Sequence, residues 1–215
     1  IPPGLPPLNI PADNPTTVEG IALGRKLFYD PILSGDNTIS CASCHKQSYG
    51  FTDSTLQFSI GIDHLYGVLF NIGYAHGFFW DGGAADLESQ VIGPIQNPVE
   101  MHEDLTRCIT ELNASPEYPA LFQSAFGSST ATTPMVMKAI AQFERTMLSA
   151  NSKFDKHQLG TDFLNAQEVR GMNLFADQTK GDCNHCHILG STFTDFEYRN
   201  NGLDSVSADS GRARI

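Results

Sequence analysis

Long apolar stretches and basic residues are scarce in this sequence. No run approaches the roughly 18 consecutive apolar residues of a membrane-spanning helix, so the sequence predicts no membrane span. Only 13 lysine and arginine residues accompany 24 aspartate and glutamate residues, which gives a formal net charge of −11. This balance argues against binding to nucleic-acid phosphates and favours basic partners. The alternation of apolar and polar residues that is typical of strands is also scarce, which favours a mainly α fold.

What the sequence does contain indicates a folded chain. Its 215 residues are 40% hydrophobic, 10% aromatic and 17% charged, a globular composition with room for two domains of about 100 residues each. Six prolines within residues 1–15 disfavour a helix there and predict an extended arm on the surface. The first residue is Ile1, and no charged-then-apolar pattern follows it, so we expect a processed end from which an export signal was removed.

Two copies of one cysteine motif carry the strongest chemical signal. Residues 41–45 and 183–187 both follow the pattern Cys-x-x-Cys-His, and together they contain four of the five cysteines. This pattern is the attachment sequence of c-type haem, in which two thiols bond to porphyrin vinyl groups and the histidine becomes an axial ligand of the iron. The motifs therefore predict two covalently bound haem groups, held by Cys41, Cys44 and His45 and by Cys183, Cys186 and His187.

Two other uses of paired cysteines stay open as alternatives. A four-cysteine zinc site normally has its two knuckles about 15 to 20 residues apart, whereas 138 residues lie between Cys44 and Cys183. A thioredoxin-like redox pair is expected beside a βαβ pattern, which the sequence lacks, and needs no histidine after each pair. The fifth cysteine, Cys108, is predicted to be a buried thiol on a helix within residues 105–112, with no chemical role.

Three amphipathic helices are predicted from their apolar spacing and from capping residues at their first turns. They are expected to run from Thr16 or Thr17 to just before Pro31, from Thr132 or Thr133 to about Ala150, and from Asn165 to about Asp177. The first and third helices each contain a Leu-Phe pair and lead into a haem motif. We interpret this repeat as two cytochrome c-like haem domains with long loops, at residues 16–152 and 153–215, after an arm at residues 1–15.

Several longer motifs add to this pattern. They are Leu-Gly-Arg-Lys-Leu-Phe-Tyr-Asp-Pro at residues 23–31, Phe-Thr-Asp at 51–53, Phe-Phe-Trp-Asp-Gly-Gly at 78–83, Leu-Glu-Ser-Gln at 87–90, Asn-Pro-Val-Glu-Met at 97–101 and Asn-Gly-Leu-Asp at 201–204. In their content and order they resemble the bacterial di-haem cytochrome c peroxidase family, which also contains the MauG-type enzymes. The resemblance covers nearly the whole chain.

The resemblance implies different roles for the two haem groups. The first would react with peroxide, with His45 as its proximal ligand, and the second would accept electrons, with His187 as its proximal ligand. Trp80 would lie between the haem groups and serve the electron path. Glu100 would be the distal acid-base residue, with Gln90 beside it. A carboxyl in a haem pocket can do this proton transfer if burial raises its pKa toward neutrality.

The function that the resemblance implies is the reduction of hydrogen peroxide to water. Electrons would come from a small soluble donor, either a cytochrome c or a small copper protein. The location would be periplasmic, because covalent haem is attached after export. Many members of the family are homodimers, and a calcium ion between the domains is also implied. Two alternatives stay open: a MauG-type oxidase that acts on a protein or organic substrate, and a di-haem electron carrier or sensor without turnover.

Two segments depart from the family pattern. The stretch around Gly67 and Val68 is shorter than usual, so neither a distal histidine nor a calcium ligand can be assigned. The sequence also stops at Ile215, where family members continue, so we expect the second domain to be incomplete. His64 and His102 are further candidate ligands, although a lone histidine in a loop is usually solvated or structural.

Overall fold

A computed structural model describes residues 1–53 and 68–200, together with residues 202, 205 and 212. Over these residues the chain is mostly helical, and the extended pairings found among them are two isolated antiparallel bridges. The prediction of a mainly α fold is therefore confirmed. No helix in the described part of the chain is long and apolar enough to cross a membrane.

A few predicted features fall on residues outside these ranges. They are His64, Gly67 in the shortened segment, and Asn201, Leu203 and Asp204 of the last family motif. Both haem motifs, the residues expected at the peroxide site (Gln90 and Glu100) and Trp80 lie inside the described ranges.

The described residues form α-helices joined by loops and short 3₁₀ turns. The helices are α1 (Val18–Tyr29), α2 (Cys41–Cys44), α3 (Leu87–Gln90), α4 (Ile92–Gln96), α5 (Leu105–Ala114), α6 (Tyr118–Phe126), α7 (Thr133–Glu144), α8 (Lys153–Gln158) and α9 (Ala166–Ala176). The 3₁₀ turns are Pro31–Leu33, Gln47–Tyr49, Ile72–Tyr74 and Cys183–His185. No helix forms before Val18, which agrees with the proline-rich composition of residues 1–15.

Two of the predicted helix starts are confirmed by their hydrogen bonds. The side chain of Thr17 accepts a bond from the Gly20 amide at 3.0 Å at the start of α1. At the start of α9, Asn165 and Glu168 form a reciprocal capping box, with amide-to-side-chain distances of 2.7 and 2.9 Å. These side chains satisfy amides that the first helical turn leaves without intrahelical partners.

The predicted end of α7 is wrong. The helix begins after Thr132, as expected, but ends at Glu144 rather than near Ala150. The hydroxyl of Thr146 donates to the Phe143 carbonyl at 2.6 Å, and the Thr146 amide bonds to the same carbonyl at 2.9 Å. These bonds tighten the chain into a turn and compete with helical bonding, as threonine side chains do.

The core forms where α1 packs against α7. Buried residues of α1 include Leu23, Leu27 and Phe28, and the buried face of α7 includes Ile140 and Phe143. Glycine permits this close packing: a Cβ atom added at position 24 would lie 1.8 Å from a backbone carbonyl oxygen of α7. Cys108 is 1% exposed within α5, so the prediction of a buried thiol on a helix is confirmed.

The chain divides into two compact units. The larger unit contains Ile10–Met147 with Gly211–Ile215, and the smaller unit contains Ile1–Asn9 with Leu148–Ser210. One haem motif belongs to each unit. Among the described residues, every buried apolar side chain belongs to the larger unit, whereas neither α8 nor α9 buries a residue. The domain bounds at residues 16–152 and 153–215 stay a prediction.

Candidate haem sites

The first cysteine pair lies on the short helix α2. Cys41 and Cys44 are three residues apart on this turn, so both thiols project from one side. The turn is closed by two bonds: the Ser40 amide donates to the Ser43 hydroxyl at 3.0 Å, and the His45 amide donates to the Cys41 carbonyl at 2.8 Å. The motif therefore presents two thiols and an adjacent imidazole in one rigid turn.

The imidazole of His45 is held in one tautomer. Its Nδ1–H donates to the carbonyl oxygen of Phe51 at 3.0 Å, and a carbonyl can only accept, so the proton is on Nδ1. In a neutral ring the lone pair is then on Nε2, and this tautomer of imidazole is one that binds metal ions. Burial lowers the pKa of His45, against the opposing effects of the Phe51 bond and the Asp53 charge, and this favours the neutral form that binds iron.

Aromatic packing fixes the plane of this imidazole. The ring of Phe28 on α1 lies 6.5 Å from the His45 ring and 6.2 Å from the Phe51 ring, centroid to centroid. Phe51 has a positive φ of 60°, a left-handed conformation that is uncommon for a bulky residue. A bridge between Lys46 and Thr52 closes the loop and supports this conformation. Helix α1 thus orients the first motif through one phenylalanine.

The second motif repeats this arrangement in the smaller unit. The His187 Nδ1–H donates to the Phe193 carbonyl at 3.0 Å, and the His187 amide donates to the Cys183 carbonyl at 2.9 Å. Phe175 on α9 lies 6.5 Å from the His187 ring and 6.4 Å from the Phe193 ring. Phe193 has a positive φ of 58°. Both histidines therefore have the same tautomer, the same acceptor and the same aromatic support.

Sequence reasoning missed the role of these two carbonyl acceptors. The signal was present, because a Phe-Thr-Asp tripeptide begins six residues after each motif histidine, at Phe51 and Phe193. The sites differ in exposure: the first motif is half-buried except for Ser43, whereas Cys183 and His187 are exposed.

The donor set at both motifs fits covalent haem. All five cysteines are free thiols, so no disulfide competes for the motif sulfur atoms. Burial raises the pKa of the Cys41 thiol to about 12, so this thiol is neutral at neutral pH. Across the described ranges, no group of three or more His, Cys, Asp or Glu side chains is placed to hold a metal ion, so the zinc alternative gains no support there.

The residues expected at the peroxide site lie around helix α4. Gln90 ends α3, immediately before α4, and is half-buried. Glu100 follows α4, is half-buried, and accepts a bond from the Asn97 side-chain amide at 2.8 Å. The ring of Phe79 packs against Gly93 of α4, where an added Cβ would lie 2.6 Å from the ring.

Trp80 follows this packed phenylalanine directly in the chain. Gln90 and Glu100 thus flank α4 in the chain, and Trp80 follows a residue that packs on α4. Trp80 is 81% exposed in this arrangement, so it is a surface residue of the described chain.

The candidate ligand His102 has a different environment, as do two other potential ligand side chains, His185 and Met101, that were not predicted to bind iron. His102 is exposed and has a positive φ of 49°. His185, inside the second motif, is exposed and lies 3.8 Å from an Asp182 carboxylate oxygen. Met101 is buried in the core. None of these environments marks a further iron ligand.

Two sites that each present a thiol pair and one oriented imidazole define a c-type haem protein. Residues 18–162 match the family model described as di-haem cytochrome c peroxidase, and the chain belongs to this family. The resemblance drawn from the sequence motifs is confirmed.

The relatives of this chain include proteins named MauG and proteins named cytochrome c peroxidase. The chain is 37% identical over 211 residues to the methylamine utilization protein MauG of Methylorubrum extorquens, covering 95% of this chain and 59% of the relative. It is 40% identical over 188 residues to a cytochrome c551 peroxidase of Nitrosomonas europaea, covering 83% of this chain and 54% of the relative. The chain therefore spans between half and two thirds of the length of these relatives.

The fold also matches solved structures. A crystal structure of a MauG-like protein associated with microbial copper homeostasis superposes with a TM-score of 0.81 at 30% identity, covering 93% of this chain and 61% of that one. The diheme peroxidase BthA from Burkholderia thailandensis gives a TM-score of 0.73 at 24% identity and supports the fold alone.

Proposed function

We propose that the protein reduces hydrogen peroxide to water as a di-haem cytochrome c peroxidase. Each peroxide would consume two electrons and two protons and yield two water molecules. The electrons would come one at a time from a small soluble redox protein, either a cytochrome c or a small copper protein. Family membership and the 40% identity to a named cytochrome c551 peroxidase support this assignment.

The observation that carries the proposal is the matched pair of histidine–carbonyl bonds. His45 and His187 each donate from Nδ1 to a phenylalanine carbonyl at 3.0 Å, which leaves Nε2 as the ring atom that would ligate the haem iron. The cysteines of each motif would form the covalent bonds to haem. When bound, the two haem groups supply redox-active iron for peroxide reaction and for electron entry.

Glu100 is proposed as the acid-base residue. Cleaving the O–O bond requires a group that moves a proton from one oxygen to the other, and a positioned carboxyl can do this. The 2.8 Å bond from Asn97 restricts the Glu100 carboxyl to one orientation. Gln90, at the other end of α4, would contribute an amide to the same pocket. Trp80 would serve the electron path between the haem groups.

The test is an optical titration of the half-reduced holoprotein with hydrogen peroxide, followed by addition of reduced cytochrome c. We expect a prompt change at one haem and stoichiometric donor oxidation. Glu100→Gln should greatly reduce turnover while both haem spectra persist, and Glu19→Gln, an exposed carboxylate on α1, is the control. Unchanged turnover in Glu100→Gln would remove this residue from the mechanism.

A MauG-type oxidase is the second candidate, favoured by the 37% identity to MauG and by the TM-score of 0.81 to a MauG-like protein. If peroxide changes the haem spectrum while the added cytochrome c stays reduced, the oxidase assignment is preferred. No spectral response in either redox state would indicate the third possibility, an electron carrier or sensor.

The assignment brings further proposals about assembly and location. We propose a periplasmic location, which cell fractionation tests, and a homodimer, which sedimentation tests. The calcium ion implied by the family pattern is tested by chelation: turnover should fall and should recover with added calcium. Pyridine haemochrome analysis should give two covalently bound haem groups per chain.

A further inference from the structure

A buried carboxyl at the end of α7 has no role in the proposed chemistry. Glu144 is 6% exposed, and its Oε2 atom is fully buried without a hydrogen-bond partner in the described part of the chain. Leaving a buried polar atom without a partner costs about 1–3 kcal/mol, and more for a charged group. An unpartnered carboxyl therefore requires an explanation in its surroundings.

The surroundings place this end of α7 beside the first haem motif. The ring of Phe143, adjacent in sequence, lies 5.3 Å from Phe28, the residue that packs on His45. Glu144 is also close enough to Cys41 that its charge adds to the effect of burial in raising the pKa of that thiol. The aromatic contacts connect the end of α7 that carries Glu144 to the first haem motif, and the electrostatic effect on Cys41 connects Glu144 itself to that motif.

The neighbouring charges compensate the carboxyl only in part. Arg145 is engaged elsewhere, since two of its guanidinium nitrogens donate to the two Glu88 carboxylate oxygens at 2.8 Å each. From α3, Glu88 adds a second negative charge, and from α2 the neighbouring ionisable group is the Cys41 thiol.

The other helices packed on α7 add no opposing charge. The buried face of α1 consists of apolar residues and glycines, and the Tyr118 hydroxyl on α6 donates to Asp30 at 2.7 Å. Burial and Glu88 therefore raise the pKa of Glu144 to about 8, although Arg145 opposes them.

We propose that Glu144 is a proton-accepting group coupled to the electron content of the haem held at residues 41–45. If residues 41–45 hold haem as proposed, one-electron reduction at that site, by an electron that the donor supplies through the second site, would be accompanied by uptake of one proton from solvent by the Glu144 carboxylate, which would become a carboxylic acid. When the electron leaves, the carboxyl returns the proton. The exchange balances one electron with one proton, so no net charge is added to a buried site.

This inference rests on the proposed haem assignment. It differs from the role of Glu100, because Glu144 exchanges a proton with solvent and not with peroxide. The residue is therefore expected to affect a reduction potential even when no peroxide is present.

The experiment is a potentiometric titration of the holoprotein, repeated over roughly two pH units on each side of the Glu144 pKa of about 8. A variant with Cys183→Ala and Cys186→Ala, lacking the second attachment site, identifies the signal of the first haem. The first-haem potential should fall as pH rises, by up to a tenfold change in the reduction equilibrium per pH unit, or about 59 mV. Glu144→Gln should keep the high potential at every pH.

Two further variants separate coupling from damage to the fold. Glu19→Gln removes an exposed carboxylate from α1, the helix packed on α7, and should retain the parental pH dependence. Glu144→Met removes the polar group at similar volume and should give the same flat profile as Glu144→Gln.

A second measurement reads the proton directly. In redox-difference infrared spectra, reduction of the first haem should produce a protonated-carboxyl C=O band in the parent, and this band should be absent in Glu144→Gln. A pH-independent potential in the parent, or equal slopes in the parent and Glu144→Gln, would overturn the inference. Absence of covalent haem from the parent would instead overturn the proposed function.

Discussion

The ion pair between Arg145 and Glu88 connects α7 to α3, and its removal should strongly destabilise the larger unit. The two side chains are 5% and 14% exposed and share two bonds of 2.8 Å. In Arg145→Met, Glu88 would keep only its bond from Asn14 and would face the buried Glu144 carboxyl without a cation. Breaking a buried pair by removing one partner costs about 3–5 kcal/mol, and we expect that loss here.

The assay is urea unfolding followed by far-UV circular dichroism at neutral pH. Lys138→Met is the matched control, because Lys138 lies on the same helix and pairs with Asp13, whose side chain is 77% exposed. The free energy of unfolding of Lys138→Met should be less than about 1 kcal/mol below that of the parent. If Arg145→Met lowers the free energy of unfolding no more than Lys138→Met does, the argument that burial makes the Arg145–Glu88 pair strongly stabilising is refuted.

The same pair predicts a pH dependence. Burial alone would raise the pKa of Glu88, but bonds from Arg145 and Asn14 hold it below its ordinary value of 4.5. Such a carboxylate stabilises the fold above its unfolded pKa, and that contribution is lost as pH falls through the folded pKa. The stability difference between the parent and Arg145→Met should therefore shrink below about pH 4.5.

Three other predictions follow from burial and site geometry. Phe28→Ala should lower the free energy of unfolding by about 3–5 kcal/mol, because Phe28 is fully buried. Phe175→Ala, on a helix with no buried residue, should lower it by less than half as much, and paired urea unfolding curves test this difference. Cys108→Ala should retain two covalent haem groups while Cys44→Ala loses one attachment bond, a contrast that haem spectra and mass spectrometry distinguish. Because the pKa of Glu144 rises from 4.5 to about 8 on folding, stability should fall as pH rises between these values, and Glu144→Gln should remove that fall. A parallel pH profile in the parent and Glu144→Gln would contradict the last prediction.

Local signals in the sequence predicted the parts of the fold that local bonds determine. Thr17 and Asn165 cap their helices with their own side chains, and Cys108 lies buried on its helix. The end of α7 was mispredicted because the apolar spacing continues to Met147, while the Thr146 hydroxyl binds a backbone carbonyl and ends the helix. Periodicity does not report this competition between a side chain and the backbone.

The candidate site was predictable to a different degree. The Cys-x-x-Cys-His pattern identifies the attachment residues, because covalent haem requires that spacing within one turn. The partners of the histidines are less visible: Phe51 acts through its backbone carbonyl, so its side-chain identity carries no direct signal of the bond. Glu144 depends on packing between helices distant in sequence, and only the structure shows its buried and unpartnered Oε2 atom.

The two haem motifs share one local geometry but lie in different surroundings within the described residues. At the first motif, Phe28 is fully buried and burial lowers the pKa of His45. At the second motif, Cys183 and His187 are exposed, and α9 buries no residue. The same turn, with the same histidine–carbonyl bond, therefore forms in a packed site and in an exposed one, so the bonds within each motif and the loop that follows it are sufficient to fix the tautomer of the histidine.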